Sequence, residues 1–124
     1  MSISSYRDLE VWQRGMTIAK QAYMLTSQFP AAEKYGMTSQ IRRAAASIPA
    51  NIAEGWGRRY PAEFIQYLRQ ANGSRTELET HLLLSVEVGL CRPPQIQAMM
   101  QELEILGKQL VNLERSLQRK RRSE

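Results

Sequence analysis

Catalysis needs side chains that hold a proton, a metal or a nucleophile, and this chain offers few. It has one histidine, His81, one cysteine, Cys91, and one aspartate, Asp8. A Ser-His-Asp arrangement would have to unite Asp8 with His81, and nothing in their spacing provides for that. A di-metal site in a helical bundle takes about four carboxylates and two Glu-x-x-His pairs. Here Glu77 precedes His81 by four positions, giving Glu-x-x-x-His. Zinc takes three or four Cys, His or carboxylate ligands, which this composition cannot easily supply. Gly73-Ser74 is not followed by the Lys-Ser/Thr of a phosphate loop. Gly73 is expected instead to permit a close helix contact. The expectation is a protein that is not an enzyme, with no metal and no cofactor. Cys91 reads as a small, semi-buried residue near a helix end, and a lone cysteine suits a reducing compartment.

Cations are the more informative candidates. The net charge is +5, with 17 Lys and Arg against 12 Asp and Glu. Removing residues 119–124, which hold four basic side chains and one acidic, leaves 13 basic and 11 acidic, a nearly balanced body. Three clusters stand out: Arg42-Arg43, Arg58-Arg59, and Arg119-Lys120-Arg121-Arg122. Arg7, Arg14, Arg69, Arg75 and Lys108 add to them. A terminal run such as 119–122 is either a solvated helix end or a phosphate-binding arm. Acidic residues, among them Glu10, Glu63, Glu77 and Glu104, are placed to neutralise part of this charge. Arg42 and Arg43 sit about 100° apart on a helix, so one of them is free to face a partner subunit or Glu54. No base-reading motif of a known type is present, so any binding should be salt-sensitive and weakly sequence-specific.

The elements that carry these residues read as four helices. The 124 residues fit one domain, 1–124, with a basic tail at 118–124. The first helix is expected over about 7–28. Leu9, Trp12, Met16, Ala19 and Tyr23 share its apolar face, which Val11, Ile18, Ala22 and Leu25 widen. The second is expected over about 38–56, capped by Thr38 or Ser39, with a stripe of Ile41, Ala45, Ile48 and Ile52. The third starts at Pro61, with Glu63 in its first turn, and carries Phe64, Leu68, Ala71, Leu78 and Leu82 towards Gly89. The fourth follows Pro93-Pro94. Its Ile96, Met99, Leu103, Leu106, Leu110, Leu113 and Leu117 recur at three and four, a coiled-coil seam. Short connections between four such helices predict an all-α, up-down-up-down bundle. Ile65, Tyr67, Val86 and Val88 fall off the main stripe and are expected to serve self-association. No apolar run is long enough to span a membrane, and no signal core opens the chain, which suggests a cytoplasmic protein.

The stretch "SIPANIAEGWGRR", residues 47–59, interrupts this pattern. Pro49 lacks an N–H and crowds the carbonyl of Ala45. The stripe nevertheless passes through it in phase, so the second helix should be kinked rather than ended. Small residues at 44–47 and 50 let a neighbouring helix come close. Asn51 is placed to satisfy backbone groups freed by Pro49, and Glu54 to pair with Arg58 or another arginine. Gly55 and Gly57 are expected to supply the positive φ that closes the helix. The alternative is a ligand site at the bend.

Three segments carry a family resemblance: "DLEVWQRG", "KYGMTSQIRRAAASIPANIAEGWGRR" and "EFIQYLRQANGSRTELETHLLLSVEVG". Over about residues 8–118 the chain resembles the four-helix-bundle proteins encoded in intervening sequences of 23S ribosomal RNA genes. Their fold looks the same as that of the accessory variability determinant (Avd) of diversity-generating retroelements. The resemblance implies a barrel-like homopentamer. For the Avd branch it implies a basic, non-enzymatic accessory protein of bacteria that binds nucleic acid, RNA or DNA. That branch also docks a reverse transcriptase for mutagenic cDNA synthesis. Five copies at +5 would carry +25. Two positions depart from the family pattern. Tyr60-Pro61 replaces the usual Ser or Thr before the third helix, and His81 stands where glutamine is common. A position that accepts glutamine has little need of imidazole chemistry. The competing reading is a structural homo-oligomer of the wider family with another protein partner.

Overall fold

The computed structural model describes residues 3–123, so Glu124 of the basic tail lies outside the described residues. Four helices follow in order: α1, Glu10–Thr26; α2, Met37–Gly57; α3, Pro61–Glu87; and α4, Pro93–Ser123. Short 3-10 turns at Tyr6–Asp8 and Ala31–Glu33 precede α1 and α2. No strand occurs among the described residues. Each helix packs on its sequence neighbours and α1 closes the ring against α4, the up-down-up-down bundle. The core is made of Ile18 from α1, Ile41, Ile48 and Ile52 from α2, Leu68, Leu78 and Leu82 from α3, and Leu103 and Leu106 from α4, all fully buried. Burying each such side chain stabilises the fold by about 1.5–3 kcal/mol.

The seam of α4 and the stripe of α2 face this core as their periodicity predicts. The first helix differs. Its buried residues are Val11, Gly15, Ile18, Ala22, Leu25 and Thr26. Met16 and Tyr23, expected on the inner face, are nearly half exposed, and Trp12 packs on Tyr6 at the rim. Gly15 sets the rotation of the helix. A Cβ there would meet Ile48 Cγ2 at 3.2 Å and Pro49 Cβ at 3.5 Å, so α2 approaches α1 through its proline-bearing turn. The helix also starts later than expected, at Glu10. Ser5 and Asp8 form a capping box ahead of it: the Ser5 hydroxyl accepts from Arg7 N–H, and the Asp8 carboxylate accepts from the N–H groups of Ser4 and Ser5.

The second helix is continuous through Pro49, which is itself buried. Asn51 Nδ2 donates to the carbonyl of Ser47 at 2.8 Å, one turn back, and not to the freed carbonyl of Ala45. Its start is not capped by Thr38 or Ser39. Gly36 precedes the first turn, and the Glu33 carboxylate accepts from Met37 N–H at 3.1 Å. Of the off-stripe residues, Val88 is exposed, Tyr67 and Val86 are half-buried, and Ile65 is buried within the protomer at 4% exposure. Ile65 therefore gives nothing to self-association. Gly73 meets no atom within 4 Å and lies on the exposed face, so it mediates no helix contact inside the protomer.

Candidate nucleic-acid interface

The up-down course brings the end of α2, the start of α3 and the end of α4 together at one end of the bundle. The segment before α1 joins them there. α3 begins at Pro61, where the absent N–H costs nothing and the fixed φ suits a first helical residue. The three residues between α2 and α3 therefore turn sharply, and the turn falls at Arg58-Arg59-Tyr60. Neither Gly55 nor Gly57 has a positive φ, contrary to expectation. The left-handed residue is Arg59, at φ 70°. Its N–H donates to Trp56 C=O at 3.2 Å, closing the helix. At the other end of α3 the same task falls to Gly89, at φ 83°, followed by a bond from Leu90 N–H to Ser85 C=O. Glycine takes that conformation freely, whereas a side chain there costs about 1–2 kcal/mol. Gly55 has a different duty. A Cβ on it would lie 2.7 Å from Tyr67 Cβ and 2.9 Å from Phe64 Cδ1, so it sets the spacing of α2 and α3.

The two adjacent arginines have separate environments. Arg58 turns back over α3. Its guanidinium donates to Tyr67 Oη at 2.9 Å and lies over that ring, 5.4 Å from the centroid. It also lies 3.7 Å from the Glu54 carboxylate and 3.9 Å from that of Glu63. The expected Glu54–Arg58 pair is present, and it balances much of Arg58's charge. Arg59 is exposed and lines a cavity of about 680 Å³ together with Lys120 of α4. Trp56, Tyr60, Phe64 and Leu117 supply its apolar walls. Trp56 and Phe64 meet edge to face at 6.2 Å, while Tyr60 is 67% exposed. Arg121 and Arg122, the next two residues of the continuous helix α4, are exposed. The expected tail is thus the last turn of a helix, and its cations oppose the negative end of the helix dipole.

The third cluster lies at the opposite end of the bundle. Arg42 Nε donates to Thr26 Oγ1 at 2.8 Å, and its guanidinium stacks 4.6 Å from the Tyr23 ring centroid. It closes the C-terminus of α1 and faces neither Glu54 nor open solvent; Arg43 beside it is exposed. Four further cations of the body pair with carboxylates. Arg14 binds Glu102, Arg69 binds Glu114 at 3.0 Å, Arg75 binds Glu79 at 2.8 Å, and Lys108 lies 3.9 Å from Glu104. The hydrogen bond that Arg69 donates to Glu114, then the charge of that carboxylate, raises the Arg69 pKa.

Asp8, His81 and Cys91 have structural settings. Asp8 caps its turn, and His81 contacts Glu77 at 3.2 Å. Cys91 is buried, and burial pushes its thiol pKa up. Among the described residues no three His, Cys, Asp or Glu side chains gather to hold a metal ion, and no helix is long and apolar enough to cross a membrane. The aromatic walls of the Arg59 cavity were not expected from sequence. Their signal is the interleaving of Trp56, Tyr60 and Phe64, four apart, with Arg58 and Arg59.

A family model described as 23S rRNA-intervening sequence protein matches residues 7–112. No match is found among curated proteins. Among solved structures, the chain is similar to a protein of unknown function from the S23 ribosomal protein family of Bacteroides thetaiotaomicron. The two are 23% identical, with a TM-score of 0.75, over 84% of this chain and 97% of the other. At that identity the likeness speaks for the fold.

Proposed function

The chain belongs to the 23S rRNA-intervening sequence protein family, and from that premise we propose that it is a non-enzymatic accessory protein that binds nucleic acid. The binding surface in this reading is the bundle end that carries Arg59 and the last turn of α4. One observation carries it: Arg59 and Lys120, sixty-one positions apart, line the same cavity, with Arg121 and Arg122 just beyond. Elsewhere on the bundle Arg14, Arg69, Arg75 and Lys108 lie against carboxylates. Phosphates bind such a surface by counterion release, which needs no base reading.

The resemblance to Avd proteins supports the finer reading. The protomer would assemble as a homopentamer in the cytoplasm of a bacterium, presenting the basic end five times. It would dock the reverse transcriptase of a diversity-generating retroelement during mutagenic cDNA synthesis. Exposed Leu83, Leu84 and Val88 are available for assembly. The test is a salt-titrated binding curve for a single-stranded oligonucleotide, with the mass checked by light scattering against the 14.2 kDa protomer. Replacing Arg119, Lys120, Arg121 and Arg122 by alanine removes up to four phosphate contacts per protomer. On a single strand this makes the logarithmic salt slope shallower by about 3. Undetectable binding by the intact protein at low salt would remove this reading.

A further inference from the structure

The cavity at the basic end has more than charge. Its volume of about 680 Å³ lies within the roughly 300–1,000 Å³ of small-molecule sites. Two cations and three aromatic residues are among those that line it. Tyr60 presents a ring that is 67% exposed, beside Trp56 and the buried Phe64. An exposed aromatic next to an arginine suits a planar, electron-rich group bearing a nearby anion. Arg59 adds an independent sign. It occupies a left-handed backbone position at which glycine would relax the chain, and strained residues of this kind cluster at ligand sites.

We propose that this cavity receives one unpaired nucleotide of a single strand, its base stacked on Tyr60 and its phosphate between Arg59 and Lys120. The proposal rests on the nucleic-acid reading above and narrows it. A paired base has both faces covered by its neighbours in the duplex and cannot enter, so the site selects single strands. Stacking tolerates every base, so the selection is for strandedness and not for sequence.

The test compares two 15-nucleotide probes at equal salt: oligo(dT), and an abasic strand with the same number of phosphates. The intact protein binds oligo(dT) about tenfold more tightly, the gain expected from stacking one base. Tyr60→Ala removes that difference and leaves the salt slope unchanged; Tyr60→Phe keeps it. Arg59→Gly weakens both probes to a similar degree and makes the slope shallower. That variant relieves the left-handed strain, so its melting temperature does not fall, and lost binding cannot be ascribed to misfolding. Equal affinity of the intact protein for the two probes would overturn the nucleotide pocket and leave the phosphate-binding reading intact. No binding of either probe at low salt would overturn both.

Discussion

Gly55 offers a sharp test of how the basic end is built. In Gly55→Ala the new methyl group would stand 2.7 Å from Tyr67 Cβ, 2.9 Å from Phe64 Cδ1 and 3.4 Å from Phe64 Cα. Carbon atoms sit comfortably at about 3.5–4.0 Å, so α3 must withdraw by about 1 Å. Tyr67 Cβ cannot swing aside, because it moves only with its backbone. Overpacking of this kind costs about 1–3 kcal/mol. Replacing a helical glycine by alanine gains at most about 1 kcal/mol of helix propensity. The net is a loss of up to about 2 kcal/mol, or a fall in melting temperature of roughly 5–10 °C for a chain of this size. Gly73→Ala is the control. That glycine is helical and meets nothing within 4 Å, so the same substitution should raise the melting temperature by a few degrees. Thermal unfolding followed by circular dichroism, at one concentration and with oligomeric state checked, reads both. A Gly55→Ala protein as stable as Gly73→Ala would refute the close approach of α2 and α3.

Arg42→Ala removes the bond to Thr26 and the stack on Tyr23. It should lower stability by about 1 kcal/mol while leaving oligonucleotide affinity nearly unchanged, as urea unfolding and binding curves would report. Cys91 is buried with its thiol pKa raised. Alkylation by iodoacetamide at pH 8 should therefore be much slower than for a free thiol and should accelerate in denaturant. The sign for stability follows from proton counting. Above the ordinary thiol pKa the unfolded chain loses its proton before the folded one, so stability declines as pH rises through that range. A Cys91→Ala variant should lack this alkaline component in pH-dependent unfolding.

Much of the bundle is legible in the sequence because α2 and α4 each carry a single apolar stripe. Nine apolar positions crowd α1, and two overlapping faces fit the same period. The residue that decides between them is Gly15, whose lack of a side chain gives no hydropathy signal but admits Pro49. The end of α2 is ambiguous in the sequence for a related reason. Gly55 and Gly57 both look like terminators, yet the left-handed position depends on where the last helical hydrogen bond falls, and that is at Arg59. The clusters at 58–59 and 119–122 are visible as charge in the sequence. What separates Arg58 from Arg59 is tertiary: Tyr67 and Glu63 of α3 engage the first, while the second lines the cavity with Lys120. The meeting of Arg59 with Lys120 follows from the up-down course, which sets the C-termini of α2 and α4 at one end.

Mapping where a bound strand lies tests the central claim most directly. A short oligonucleotide carrying 4-thiouridine would be photo-crosslinked to the intact protein at low salt, and the modified peptides identified by mass spectrometry. Binding at the basic end predicts crosslinks within residues 56–64 and 117–122, with Tyr60 prominent. Crosslinks concentrated around Tyr23, Arg42 and Arg43, at the opposite end of the bundle, would contradict it.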